Sequence, residues 1–182
     1  LGGHGSVAYS LHAGARSQSA WDHAMVFLGI EPLLPEYARL CTEKNILFRY
    51  VAAEAGSPWR SWGGLVSALN ELQPDAIILH SVKTIIPCWL YAKARGIPII
   101  AVEHQNNGLK RRSEILISCF LMILADSVVV LTDSYRNELK KITSINWRAS
   151  KVHVIPNGID TDSFSPPPLD RHNLSRPVHI GM

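Results

Sequence analysis

From position 46 onward, the chain alternates between short, continuously apolar runs and longer segments whose apolar residues recur every three or four positions. Strands apolar on both faces, separated by helices, describe a parallel sheet covered on both sides. The expected strands are His23 to Leu28, Ile46 to Ala52, Asp75 to His80, Ile97 to Val102, Ser127 to Thr132 and a short one through Val152, Val154 and Ile155. The expected helices are an apolar stretch from Val7 to Ala15 that Ser6 could cap, Glu31 to Lys44 with Pro32 in its first turn, and Pro58 to Gln73. Three more come after these: Thr84 to Arg95 closed by Gly96, Ser113 to Leu124, and one capped by Asp133 or Ser134 and running to about Ile142. Trp59, Trp62, Leu65, Leu69 and Leu72 share helical spacing, so the tryptophans read as packing residues rather than sugar platforms. A parallel domain normally places a strand before its first glycine loop, so a strand is expected ahead of Leu1.

The pattern changes after Ile155. Pro156 ends the last strand because it has no N–H for the ladder, and Asn157-Gly158 permits a sharp turn. Pro166, Pro167 and Pro168 stiffen the connector beyond that turn, and Pro177 leads into an apolar Val178 to Met182 that looks like the start of another strand. The expected organisation is a Rossmann-like domain over 1–155, a hinge or linker over 156–177, and the first residues of a second domain at 178–182. Ile115 to Leu131 is not read as a membrane span. Its apolar run reaches only from Ile115 to Ala125, with Ser118 inside it, and a bilayer needs roughly 20 residues.

Composition narrows the picture. With 182 residues and 47% hydrophobic side chains, the chain suits one α/β domain plus a tail. A net charge of +3 does not demand nucleic acid. Cys41, Cys88 and Cys119 are odd in number and sit in apolar or helical surroundings, so they read as buried thiols of a reducing compartment.

In an open parallel sheet, ligands bind outside the carboxyl ends of the strands. The groups expected there are Gly2 and Gly3, His80 and Ser81, Glu103 and His104, and Thr132 to Ser134. Glycines at a helix start let the backbone approach a ligand, and the exposed N–H groups favour phosphate. Gly3-His4-Gly5-Ser6-Val7-Ala8 also fits a loose dinucleotide-binding pattern, so a nicotinamide-dependent oxidoreductase is an alternative. The acidic residue that pattern needs is poorly supplied by Asp22 or Glu31. A non-catalytic remnant or binding domain is a second alternative.

Five segments carry a resemblance. In order they are Leu-Gly-Gly at 1–3, Pro-Asp-Ala-Ile-Ile-Leu-His-Ser at 74–81, Pro-Ile-Ile-Ala-Val-Glu-His at 98–104, Ala-Asp-Ser-Val-Val-Val-Leu-Thr-Asp-Ser at 125–134 and Val-Ile-Pro-Asn-Gly-Ile-Asp at 154–160. Together they are similar to the N-terminal, acceptor-side domain of retaining family 4 glycosyltransferases of the GT-B fold. The resemblance implies a Rossmann-like half of a two-domain enzyme that transfers a sugar from a nucleotide-sugar donor. It implies donor-phosphate contacts at Gly2 and Gly3, an active-site role for His104, and acceptor contacts at His80, Ser81 and Glu103. At 103–105, Glu-His-Gln stands where the family has a histidine–glycine pair, so the loop beyond it is expected to differ.

The resemblance places a basic pair and two spaced glutamates in a second domain, so this chain alone is expected not to complete a turnover. No cofactor or metal is expected, and Asp160-Thr161-Asp162 reads as a turn rather than a metal site. The expected partners are the donor and a glycan or lipid-linked acceptor. Peripheral contact with the inner face of a membrane is a further option: Lys110-Arg111-Arg112 could meet an acidic headgroup, although a solvated surface is the preferred reading of those residues. The expected location is cytoplasmic, and Asn173-Leu174-Ser175 is a glycosylation sequon only in a secreted protein.

Overall fold

The computed structural model describes residues 3–16, 21–104, 112–144 and 147–158. Six strands run in order: β1 (Ala24–Gly29), β2 (Leu47–Ala52), β3 (Ile77–Leu79), β4 (Ile99–Glu103), β5 (Ser127–Val130) and β6 (Val152–Val154). Six α-helices alternate with them: α1 (Gly3–Arg16), α2 (Pro35–Glu43), α3 (Trp62–Leu72), α4 (Ile85–Arg95), α5 (Arg112–Leu124) and α6 (Asp133–Ile142). All strand pairs are parallel. The described strands form two sheets, β1-β2 and β3-β4-β5-β6, where the alternation of the sequence pointed to one. No backbone ladder joins β1 to β3 among the described residues, and α3 packs against both β1 and β2 while sending Leu65 and Leu69 into the larger core. The expected strand ahead of Leu1 falls outside the chain.

Local chemistry explains where the elements differ from expectation. The second helix starts at Pro35 rather than Glu31. A residue before proline is pushed out of the helical region, and Leu34 is extended at ψ 135°. The third begins as a tight 3-10 turn over Pro58–Ser61, which leaves Trp59 60% exposed instead of packed. Gly96 closes α4 as expected, at φ 69°, with the Ile97 N–H donating to the Ala92 carbonyl at 3.1 Å. The cap of α6 is Thr132, not Asp133 or Ser134: its Oγ1 accepts the Tyr135 N–H at 3.2 Å.

The larger sheet is tied at its amino edge by Asp126, whose carboxylate accepts the Ile99 N–H at 2.8 Å. Ile99, Ala101, Val128 and Val130 are at most 1% exposed between helices on the two faces, with Leu121, Met122 and Leu139 packed on them. Burial of such aliphatic side chains contributes about 1.5–3 kcal/mol each. At the far end, the Ile155 N–H still donates to Val130 O at 2.9 Å, and Pro156 then stops the ladder. Pro156 to Gly158 are exposed. The rest of the expected hinge, the 178–182 segment, Asp160, Asp162 and Asn173 lie outside the described residues. Cys41 and Cys88 are buried free thiols, and Cys119 is half-buried. Among the described residues no helix is long and apolar enough to cross a membrane.

Candidate functional site at the carboxyl edge of the larger sheet

Parallel pairing aligns Leu79 of β3 beside Ala101 of β4. His80 therefore follows β3 and His104 follows β4 at the same edge of the sheet. The two imidazoles meet there edge to edge: Nδ1 of His80 lies 3.0 Å from Nε2 of His104, with the ring centroids 5.2 Å apart and the planes at 24°. Such a bond needs a hydrogen on one of the facing nitrogens and a lone pair on the other. At least one ring is therefore neutral, and the other nitrogens of the pair are held in defined directions. Both rings are half-buried, so they combine a fixed geometry with access to a ligand.

Ser81 is exposed next to His80 and opens a 3-10 turn over Val82–Thr84. Its carbonyl accepts the Thr84 hydroxyl at 2.8 Å, which fixes the path from β3 into α4. Glu103 goes elsewhere. Alternation along β4 puts Ile99, Ala101 and Glu103 on one covered face, and Glu103 is 2% exposed. Tyr135 of α6 is also buried, and its hydroxyl feels both the Glu103 charge and the Ser118 hydroxyl. The carboxylate expected to meet an acceptor is thus turned inward, toward α5 and α6. Burial first, and the adjacent Glu103 charge second, push the Tyr135 hydroxyl well above its usual range, so it stays protonated.

Gly2 lies outside the described residues. Gly3 is the first residue of α1, and Gly5 is also within that helix. The glycine pattern therefore sits in a helix rather than in the loop that a dinucleotide fingerprint requires. Thr132 is engaged as the α6 cap, as described above.

Of the six expected site residues, the structure gathers His80, Ser81 and His104 at one edge, turns Glu103 into the interior beneath that edge, and sets Gly3 at a helix start. Sequence reading passed over Tyr135 and Ser118. Ser118 did leave a trace, as the sole polar residue inside the apolar run from Ile115 to Ala125. A cleft of about 300 Å³ involving Lys93, Pro98 and Asp126 lies at the opposite, amino-terminal edge of β4 and β5. Among the described residues, no group of three or more metal-ligating side chains converges.

Comparison with known proteins gives these features a context. The sequence model described as Glycosyltransferase Family 4 matches residues 1–163. No curated protein sequence matches. Among solved structures, HepE (Alr3699) of Anabaena, in complex with UDP and glucose, is similar over 92% of this chain and 44% of its own, at 12% identity and TM-score 0.68. The same protein with UDP-glucose matches 80% of this chain and 47% of its own, at 12% identity and TM-score 0.60. MurG of Acinetobacter baumannii matches 91% of this chain and 45% of its own, at 18% identity and TM-score 0.58. At these identities the structures establish a shared fold. The chain spans less than half the length of each.

Proposed function

The chain belongs to Glycosyltransferase Family 4, and we propose that it forms the acceptor-side half of an enzyme that moves a sugar from a nucleotide donor to an acceptor with retention of configuration. The observation that carries the proposal is the His80–His104 pair at the carboxyl edge of β3 and β4. A nucleotide-sugar donor is supported by the UDP and UDP-glucose complexes of HepE, which has the same fold.

Departure of a nucleoside diphosphate leaves positive charge on the sugar and builds negative charge on the leaving phosphate. Catalysis of that step calls for hydrogen-bond donors fixed before the reaction, more than for a strong base. In this reading His104, its ring direction set by His80, offers a donor beside the transferred sugar. Backbone N–H groups around Gly2 and Gly3 at the start of α1 receive the donor phosphate. His80 and the exposed Ser81 face the acceptor. No resident cofactor or metal is assigned a step.

The acceptor is a glycan or a lipid-linked molecule. Peripheral contact with the cytoplasmic face of a membrane belongs to the same reading. It is supported by exposed Leu116, Phe120 and Ile123, one face of α5, which come after Lys110-Arg111-Arg112 in the sequence.

The test is His104→Ala in the native protein that carries this chain, assayed for sugar transfer from UDP-glucose and other nucleotide sugars. Turnover is expected to fall by about a hundredfold or more, the usual consequence of losing one oriented donor, with the circular dichroism spectrum unchanged. Turnover within a fewfold of the parent would overturn the role given to His104.

A further inference from the structure

Helical spacing groups Trp59 with Trp62 and Leu65 on a packed face, yet its indole is 60% exposed on the 3-10 turn that precedes α3. A single exposed apolar side chain needs no explanation by itself. Two features set this one apart. The backbone that carries it is tied in place, and its position is level with the histidine edge.

The loop from β2 into α3 is held on both sides of the indole. The Glu54 carbonyl accepts the Ser57 N–H at 3.2 Å, across Gly56 at φ 76°. The Ser57 carbonyl accepts the Arg60 N–H at 3.1 Å, and the Pro58 carbonyl accepts the Ser61 hydroxyl at 2.7 Å. Arg60 Nη1 donates across the same loop to both carboxylate oxygens of Glu54, at 2.6 and 2.9 Å. An indole on such a frame loses little freedom when a ligand settles on it.

Its position follows from α3 and α4. Each runs back from the carboxyl end of a strand, β2 or β3, and each is led by a 3-10 turn, Pro58–Ser61 or Val82–Thr84. The two helices lie side by side: the Tyr91 hydroxyl donates to the Leu69 carbonyl at 2.9 Å, and Arg95 Nη2 to Asn70 Oδ1 at 3.0 Å. Leu69 and Tyr91 are each about two turns into their helices, so the helix starts are level. Axes of packed helices lie about 8–10 Å apart. The turn carrying Trp59 therefore flanks the turn that Ser81 opens after His80, at one interhelical spacing.

We propose that Trp59 is a sugar platform, stacking under the second pyranose of a saccharide acceptor whose first, reacting pyranose lies at His80 and Ser81. The proposal deepens the reading of this edge as the transfer site and rests on it. One interhelical spacing is the length of two linked pyranose rings. A pyranose carries C–H groups on its faces and hydroxyls around its rim. The electron-rich face of the indole attracts the C–H groups. The exposed Arg60–Glu54 pair on the same loop offers donors and acceptors to the hydroxyls. Trp59 thus selects an acceptor of at least two sugars and takes no part in the bond-making step. Trp21 is the internal control: it is 68% exposed but precedes β1, at the opposite edge.

The native protein carrying this chain is labelled with 15N-tryptophan and 15N-histidine. The signals of Trp59, Trp21 and His80 are identified by their loss in Trp59→Phe, Trp21→Phe and His80→Gln. With UDP present throughout, the protein is titrated with cellobiose, maltose, lactose and N,N′-diacetylchitobiose. At least one disaccharide is expected to shift the Trp59 indole N–H and the His80 ring together while Trp21 stays still. By calorimetry, Trp59→Ala is expected to bind it about tenfold more weakly, and Trp21→Ala as the parent does. The proposal is overturned if no disaccharide shifts Trp59, if Trp21 shifts as much, if Trp59 shifts without His80, or if Trp59→Ala binds like the parent. Broadening of the Trp59 signal by phosphatidylglycerol vesicles, with no response to disaccharides, would overturn it in favour of a membrane contact. Failure of the transfer reading is distinct: His104→Ala would then keep its turnover while a disaccharide still shifted Trp59.

Discussion

The β1-β2 half and the β3–β6 half are built from the same βα unit yet bury their strands very differently. In the larger sheet, Ile99, Ala101, Val128 and Val130 are at most 1% exposed. In the smaller, no residue of β1 is fully buried, and only Val51 is in β2. Every fully buried member of the main core comes from α3 onward, and β1 touches that core through the half-buried Val26. The smaller half relies instead on aromatic contacts, with Phe27 set 5.6 Å from Tyr37 and 6.2 Å from Phe48, and on the Tyr50 hydroxyl, which lies 2.9 Å from the Gly29 carbonyl and 2.8 Å from that of Glu31. A two-stranded sheet is marginal unless something packs on it. Here α3 does so, and the smaller half takes much of its stability from that helix. The candidate site sits on the half whose core is closed.

The largest effect that would sharpen this contrast is a truncation pair. Leu139 is fully buried in α6, and Leu139→Ala is expected to cost about 3 kcal/mol, the middle of the range for core leucines. Val26→Ala in β1 removes less and leaves the change half in solvent, so about 1 kcal/mol is expected. Urea midpoints at constant slope would measure both. Equal losses would show that the two halves are packed alike, and the contrast would fail.

A smaller effect comes from the joint itself. A Cβ at Gly64 on α3 would lie 3.0 Å from Cγ1 of Val51 on β2, closer than side chains normally approach. Gly64→Val is therefore expected to wedge α3 away from the smaller sheet, at about 1–3 kcal/mol. Hydrogen exchange locates the loss: amides of Phe27 and Val51 should lose protection while those of Val102 and Val129 keep theirs. Uniform loss across all four would mean that α3 is no special joint.

The same contrast explains what was legible in the sequence. Ile-Pro-Ile-Ile-Ala-Val and Ser-Val-Val-Val are apolar on both faces because both faces are covered, so those strands could be placed without coordinates, as could His104 beyond the first of them and His80 at the end of Asp-Ala-Ile-Ile-Leu. Helix starts were harder. Three prolines compete between positions 32 and 58, and only the extended Leu34 shows that Pro35 is the one opening α2. The division into two sheets was invisible, since strand order is a matter of which edges pair and no single run of residues encodes it. Glu103 was expected at the open edge because a polar residue at a strand end looks like a ligand group, whereas its side chain is buried. Alternation along β4 from Ile99 points it inward, but how deeply it is covered depends on α5 and α6, which are distant in sequence and meet this face only in the folded chain.

The smallest effect is also the most direct comparison, because each half holds one fully buried thiol. Cys41 of α2 is 0% exposed beside the Tyr9 hydroxyl, 3.0 Å away, and Cys88 of α4 is 2% exposed within the main core. Burial pushes the Cys88 thiol up to about 11, with the Thr84 hydroxyl pulling weakly the other way, so at pH 8 the folded protein offers almost no Cys88 thiolate. Alkylation of either thiol therefore waits for an opening event, and its rate reports the free energy of that opening. In a Cys119→Ser background, which removes the half-buried third thiol, Cys41 is expected to react about tenfold faster than Cys88, corresponding to about 1.4 kcal/mol between the two openings. Gly64→Val should widen the ratio by speeding Cys41 alone. A single rate for both thiols, equal to that of global unfolding, would mean that the aromatic contacts of the smaller half and the aliphatic core of the larger one melt as one cooperative unit. The half-buried strands would then be as firmly held as the buried ones.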